Sequence, residues 1–507
     1  MSVRVTLQHM KRIINYVINE PNVIRAFLFI AILDVLAVFL IGYLSVDLTS
    51  SDYIVIITII LLITTTVLLL KNIKLAVYLL IIIFPFNNFT FFIKISSFKF
   101  DWLRITPLDI FMISWIICLF LHNCVFKSRA IFNKNKLSAL YLLLLLLIAF
   151  SISSVIWSSH KIMSINFIFR LLQNFFIYLL IVALLKSEQD IIRAIKALIA
   201  SSVITALGML ISTLPLVYIS KEYTIANGLI LEFSFKTFQI RASGFIQHNF
   251  GVLLLSIGIL FAVGLLSQSK NKKNKILLVI VILFLILTAF YSTVRAPVVS
   301  LLITIIFLLF AMKNFRAYFF RNLSVFVVCL IFLFSIFTVT HSYIIDFATN
   351  YLGKATKQSE HALNDRLSMW KKATNAIIDN DAYLFGLGAG AGTYCVDPEA
   401  YVHNVILSIF IDFGFIGLII FFILISISIM KIYVALLQLK EGVPKAMLLS
   451  TSGCIVTLSM ATFVDCDYNL NILWYVAGIS AAIYRHAISS EYMKISSPYN
   501  EITLNRA

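Results

Sequence analysis

The sequence predicts an all-α, polytopic integral membrane protein with about 14 transmembrane helices, within a range of 12–14. Three observations predict it. The chain of 507 residues is 61% hydrophobic and only 12% charged, with a mean hydropathy of +1.00, whereas a soluble protein carries roughly 25% charged residues. That little charge cannot cover a water-soluble globule of this size, and 44 Phe in a chain apolar throughout argue against disorder. Apolar runs of about 20 residues, the length that spans a bilayer core, recur along nearly the whole chain. The runs are continuous and do not alternate, which argues against an outer-membrane barrel. The first 20 residues are mixed and polar, so no cleavable signal peptide is expected.

Hydropathy places the spans at 26–46, 53–70, 75–93, 109–125, 137–157, 165–185, 197–219, 249–266, 276–292, 297–312, 323–341, 405–430, 446–464 and 470–485. The third is the weakest, because Pro85 and the pair Asn87, Asn88 interrupt it. The stretch 93–108 is expected to be re-entrant or interfacial. With the N-terminus inside, the cytoplasmic segments hold 26 of the 40 Lys and Arg but only 6 of the 23 Asp and Glu. This is the positive-inside pattern on short loops, and it puts both termini in the cytoplasm. The net charge of +17 therefore orients helices and touches anionic lipid heads. No nucleic-acid partner is implied, and the basic run 270–275 is a solvated turn.

Six cysteines show no CxxC or Cys/His metal spacing. Cys395 and Cys466 are both expected on the outer face, where they could pair or remain free thiols. Three outer segments exceed a turn: 86–108, 220–248 and the largest, 342–404. The chain reads as one membrane domain, 1–507, without internal repeats.

Arginine near a bilayer is costly. Four stand at the outer helix edges: Arg170 about a turn inside the sixth span, Arg241 before the eighth, Arg295 between the ninth and tenth, and Arg366 in the large loop. Snorkelling to lipid heads accounts for any one alone. As a set they suggest planar, multi-donor recognition of phosphate oxygens.

Within the large loop, Leu363, Leu367, Trp370, Ala373 and Ile377 recur at helical spacing, so 362–379 reads as an amphipathic helix on the membrane. Glycine then occupies every second position from Gly386 through Gly388 and Gly390 to Gly392. Such a run either permits close backbone approach with exposed N–H donors or is a flexible connector. His403 and Asn404 follow at the mouth of the twelfth span, and His248 and Asn249 stand at the mouth of the eighth. A helix-mouth His is commonly a cap or a packing residue, but it can also accept a hydroxyl proton near neutral pH. Asp34 is the only acidic residue this reading places midway along a span.

The stretch from Arg366 through Trp370, the glycine run, His403–Asn404 and FGFIGLIIFF resembles the O-antigen ligase/polymerase family of bacterial inner-membrane glycosyltransferases. Arg241 before a helix-mouth His–Asn, and Arg295 after an apolar span, also resemble that family, and the likeness is strongest over about 235–430. The resemblance implies a GT-C-like fold with a large periplasmic loop at 342–404. It implies an inverting, metal-independent transfer from an undecaprenyl-diphosphate-linked glycan donor to lipid A–core or to a growing glycan, with no cofactor. By that likeness Arg241, Arg295 and Arg366 grip the diphosphate and His403 lies near the acceptor. His248, Asn249, Trp370, Gly388, Gly390 and Asn404, together with Arg170 by location, complete the expected site. Ligation to lipid A–core is favoured over polymerisation. A flippase for lipid-linked sugars is the rival class, but it predicts midspan ionisable residues, internal symmetry and short loops.

Overall fold

The computed structural model describes residues 74–86, 91–94, 102–105, 109, 111–116, 139–158, 160–211, 233–234, 239–240, 248–292, 295–311, 316, 366–390, 402, 404–440, 442–465 and 472–486. The spans expected at 26–46, 53–70 and 323–341 lie outside these residues, as do Arg241, His403, Cys395 and Cys466.

Among the described residues the helices include α1 (Leu75–Ile83), α2 (Ala139–Ser153), α3 (Lys161–Leu184), α4 (Glu188–Ile211), α5 (His248–Gln268), α6 (Lys272–Tyr291), α7 (Arg295–Ala311), α8 (366–379), α9 (Val405–Gln438), α10 (Val443–Asp465) and α11 (472–486), and residues 111–116 are also helical. Two short antiparallel hairpins accompany them. They are β1 (Phe91–Lys94) with β2 (Trp102–Ile105), and β3 (Phe233–Ser234) with β4 (Gln239–Ile240). Among the described residues six helices, α3 to α6, α9 and α10, are long and apolar enough to cross a membrane. Helices α2 and α7 contain shorter apolar stretches. The chain is a helical, multi-pass membrane protein.

Two expected spans are corrected. The third is not one helix over 75–93, because α1 stops at Ile83 and a 3-10 turn over Phe84–Phe86 leads into β1. Pro85 lacks the N–H that would extend the helix, and its ring clashes with the preceding turn. Nine residues rise about 14 Å, half of a bilayer core. The seventh span begins at Glu188 rather than 197. Ser187 Oγ accepts from the Asp190 N–H at 3.1 Å and the Asp190 carboxylate accepts from the Ser187 N–H at 3.3 Å. This reciprocal cap starts the helix inside a charged segment that hydropathy assigns to a loop.

Helix α5 is the axis of the bundle, buried along nearly its whole length and packed on α4, α6 and α10. Lipid tails are as apolar as leucine, so helices in a membrane associate by close packing and hydrogen bonds. Here Gly258 lies against Ser202 of α4 and Gly264 against Ser450 of α10. Ser202 Oγ donates to the Leu254 carbonyl at 2.8 Å, and the Thr304 and Thr457 hydroxyls join α7 to α10 at 2.8 Å. The outward faces carry Ile162, Phe169, Leu277, Phe310, Phe422 and Met430, all exposed and suited to lipid.

Short turns make the helices alternate, and this sorts the loops by end. At one end Lys74 Nζ meets the Asp190 carboxylate at 2.8 Å, and the Arg485 guanidinium donates to the Leu185 carbonyl at 2.7 Å. Three segments assigned to the cytoplasmic face thus converge. Helix α3 rises about 36 Å from Lys161 to Leu184. The α2–α3 turn is therefore at the other end, where the glycine run also lies.

Candidate functional site

The site is built on a break in α9. Asn404 caps the helix, its side chain accepting from the Leu407 N–H at 3.0 Å. Ten residues later Gly414 has φ 63 and ψ −160, a conformation open essentially to glycine alone. Two helical hydrogen bonds, from Phe415 to Ile411 and from Ile416 to Asp412, cannot form across that break. Their four groups are satisfied by the segment that leaves α8. The Leu387 and Gly388 amides donate to the Ile411 and Asp412 carbonyls at 2.7 and 3.1 Å. The Phe415 and Ile416 amides donate to the Tyr383 and Leu384 carbonyls at 2.8 and 3.3 Å. Buried backbone groups must find partners, so the kink and the glycine run require each other.

Glycine is needed on both sides of this interlock. Gly386, Gly388 and Gly390 all have positive φ, and a Cβ on Gly386 would overlap the Asp412–Phe413 peptide. One on Gly388 would reach Ser158 Cβ at 2.5 Å, and one on Gly390 would reach Phe167 Cβ at 2.7 Å. The alternative left by the sequence is thereby decided for close approach. The expectation of exposed N–H donors is corrected. Gly386 donates to Ala382 and Leu387 and Gly388 donate to α9. Ala389 donates to Ser154 Oγ at 3.0 Å and Gly390 to the Asp412 carboxylate at 3.0 Å. Every amide from 386 to 390 is spent inside the protein.

The wall behind the run comes from α2 and α3. Ser154 Oγ also donates to the Ser151 carbonyl at 2.7 Å, while the Ser158 and Ser164 hydroxyls, both buried, bond at 2.7 Å. Phe413 meets Phe150 tilted at 5.9 Å and Phe167 edge-on at 6.2 Å between centroids, and Trp157 meets Phe385 edge-on at 5.7 Å. Trp157 and Phe385 are both partly open at the surface.

Helix α8 carries the other half. Trp370, Ala373 and Ile377 turn inward with Leu387, Val402 and Ile411, as an amphipathic pattern requires. Leu367, expected on that stripe, is instead 49% exposed. The helix ends with Asp381 at φ 50, the Ala382 amide reaching the Ile377 carbonyl at 3.0 Å, a left-handed cap. Trp370 Nε1 donates to the Val402 carbonyl at 2.9 Å. Val402 is buried and Asn404 caps α9, so both chain neighbours of His403 are pinned. Arg366 is half-buried one turn before Trp370.

Arg170 is one turn along α3 from Phe167, on the same face. Its guanidinium meets the Asp109 carboxylate at 2.6 Å and Gln173 Oε1 at 3.1 Å, and Gln173 Nε2 donates to the same carboxylate at 2.9 Å. His248 and Asn249 open α5 and Arg295 opens α7. Helix alternation brings these three backbone positions to the end that holds the glycine run. The side chains of His248, Asn249 and Arg295 lie outside what the structure describes.

Sequence reasoning missed Asp412 and Asp109. Asp412 is 3% exposed and lies within α9, so Asp34 is not the only acid within a span. An acid two residues before a glycine in an otherwise apolar run was the available signal. Asp412 receives the Gly390 amide, and Asp109 receives Arg170 and Gln173. Among the described residues no group of three His, Cys, Asp or Glu side chains is placed to hold a metal.

Residues 278–422 match the family described as O-antigen ligase. The match supports membership of the O-antigen ligase/polymerase family. It runs from α6 to the middle of α9, so it includes Arg295, Arg366, Trp370, the glycine run, His403, Asn404 and the Asp412–Gly414 kink. Arg170, Arg241, His248 and Asn249 precede it. No curated protein matches the chain. An O-antigen ligase family segment thus coincides with the α8–α9 interlock.

Proposed function

We propose that the chain transfers a glycan from undecaprenyl diphosphate to a sugar hydroxyl at the periplasmic face of the inner membrane, with lipid A–core as acceptor. The observation that carries this reading is the coincidence of the family match with the structure around His403. The Trp370–Val402 bond and the Asn404 cap hold the two residues flanking a histidine at a helix mouth. Held neighbours on both sides suit a group that must meet a substrate hydroxyl.

The chemistry assigns the charged residues their parts. The glycosidic bond from the anomeric carbon to the diphosphate oxygen breaks, and negative charge grows on the diphosphate. Guanidinium groups of Arg295, Arg366 and Arg241 aimed at that charge stabilise the transition state, with Arg170 held ready by Asp109. His403 takes the proton of the acceptor hydroxyl as its oxygen attacks the opposite face, which inverts the anomeric centre. Gly388 and Gly390, whose amides are consumed, contribute shape beside the glycan. Undecaprenyl diphosphate leaves with both electrons of the broken bond. No metal and no cofactor take part. The GT-C-like arrangement, the 14 spans and the cytoplasmic termini belong to the same proposal.

Deletion of the coding gene with analysis of surface polysaccharide tests it. Lipid A–core lacking all attached polymer supports ligation, and a single attached repeat assigns the chain to polymerisation instead. Unaltered polysaccharide contradicts both.

A further inference from the structure

We infer that Asp412 is a positioning residue: its carboxylate, by accepting from the Gly390 N–H, locks the glycine run into the α9 kink and so fixes the arm 405–413 that carries His403 at its mouth. The inference rests on the proposed role of His403.

Three observations lead to it. Asp412 is nearly fully buried at the kink itself, where an acid has no place for packing alone. It binds the run twice, its carbonyl accepting from Gly388 and its carboxylate from Gly390 at 3.0 Å. The circuit of contacts is also closed. From Trp370 the chain runs through α8 and its cap to the glycine run, crosses to Ile411 and Asp412, follows the arm back to Asn404 and Val402, and returns to Trp370. In the chain His403 falls between Val402, whose carbonyl receives Trp370, and Asn404, which caps α9. Ser154, reaching from α2 to the Ala389 amide, ties the ring to the bundle. If Asp412 releases Gly390, the arm can tilt about Gly414 and carry residue 403 away from a hydroxyl held elsewhere. A misplacement of about 1 Å at a reacting group costs about 10²-fold in rate.

The test uses the full chain in nanodiscs, with the wild type, Asp412→Ala and Asp412→Asn. Hydrogen exchange over the peptide containing 386–390 reads the lock, and kcat and donor KM, normalised to folded protein, read its consequence. Asp412→Ala is expected to lose amide protection at 387–390 and about 10²-fold in kcat, with donor KM nearly unchanged. Asp412→Asn keeps a carbonyl oxygen for Gly390 and should recover most of both. A merely structural role would lower the folded yield and leave kcat per folded molecule intact. Should Asp412→Ala fail to fold, Ser154→Ala removes the adjacent acceptor and should shift both readouts in the same direction, by less. Full protection in Asp412→Ala, lost protection with wild-type kcat, or Asp412→Asn as slow as Asp412→Ala would overturn the inference. A wild type that transfers no glycan overturns the functional reading instead, and the exchange result then decides the lock by itself.

Discussion

Gly414→Ala is the substitution whose cost can be worked most fully from the structure. At φ 63 and ψ −160 a residue with a Cβ is strained by about 1–3 kcal/mol. The added carbon would overlap the Leu384 carbonyl and approach the Gly386 nitrogen, all backbone that cannot rotate aside. Relief requires the two segments to part, and each of the four bonds between them contributes about 1 kcal/mol net. Losing two or three of them together with the strain gives about 3–6 kcal/mol, in the range reserved for the most damaging single changes. Gly442→Ala is the control, because its added carbon would meet only Pro444 Cδ at 3.9 Å, and it should stay within about 0.5 kcal/mol of wild type. Equilibrium unfolding of purified protein in mixed micelles measures both. A Gly414→Ala protein that unfolds with the wild-type midpoint would refute the claim that kink and glycine run depend on each other.

Other expectations follow from the same contacts. Asp109→Ala removes the carboxylate that Arg170 and Gln173 share, leaving Arg170 its bond to Gln173, and should destabilise the fold by about 2 kcal/mol, read from the same unfolding curves. Arg295→Ala and Arg366→Ala should abolish glycan transfer in membranes while expression persists, and full activity in both would defeat the diphosphate grip. Trp370→Phe keeps the ring packing but loses the bond to Val402, and should lower kcat more than stability. A chelator should leave the transfer rate unchanged, and strong inhibition would reveal a metal requirement.

Hydropathy alone located most of the described helices, because a long apolar run in a membrane protein has few alternatives to a helix. The span read at 249–266 is His248–Gln268, and that read at 405–430 starts at Val405 as expected. The failures share a cause. At Glu188 a side-chain cap extends α4 into a charged segment, and at Pro85 a single missing N–H stops α1, neither of which a hydropathy window registers. The site divides the same way. Glycine at every second position is visible locally, and so is the helix mouth at Asn404. What the glycines touch is not, since Ser154, Ser158 and Phe167 lie more than 200 residues away in the chain. Asp412 is not legible as a site residue because a partner of its carboxylate is a backbone amide 22 positions upstream. The nearby Gly414 is the local mark of the kink, a residue that breaks the helix inside an apolar run.

The most direct measurement is transfer by the purified chain in nanodiscs, supplied with an undecaprenyl-diphosphate-linked glycan and lipid A–core. Glycan joined to lipid A–core and free undecaprenyl diphosphate are quantified together. The account predicts that the wild type forms both in equal amounts, whereas His403→Ala binds the donor but turns over far more slowly. Equal rates for the two proteins, or a wild type that forms neither product, would contradict it.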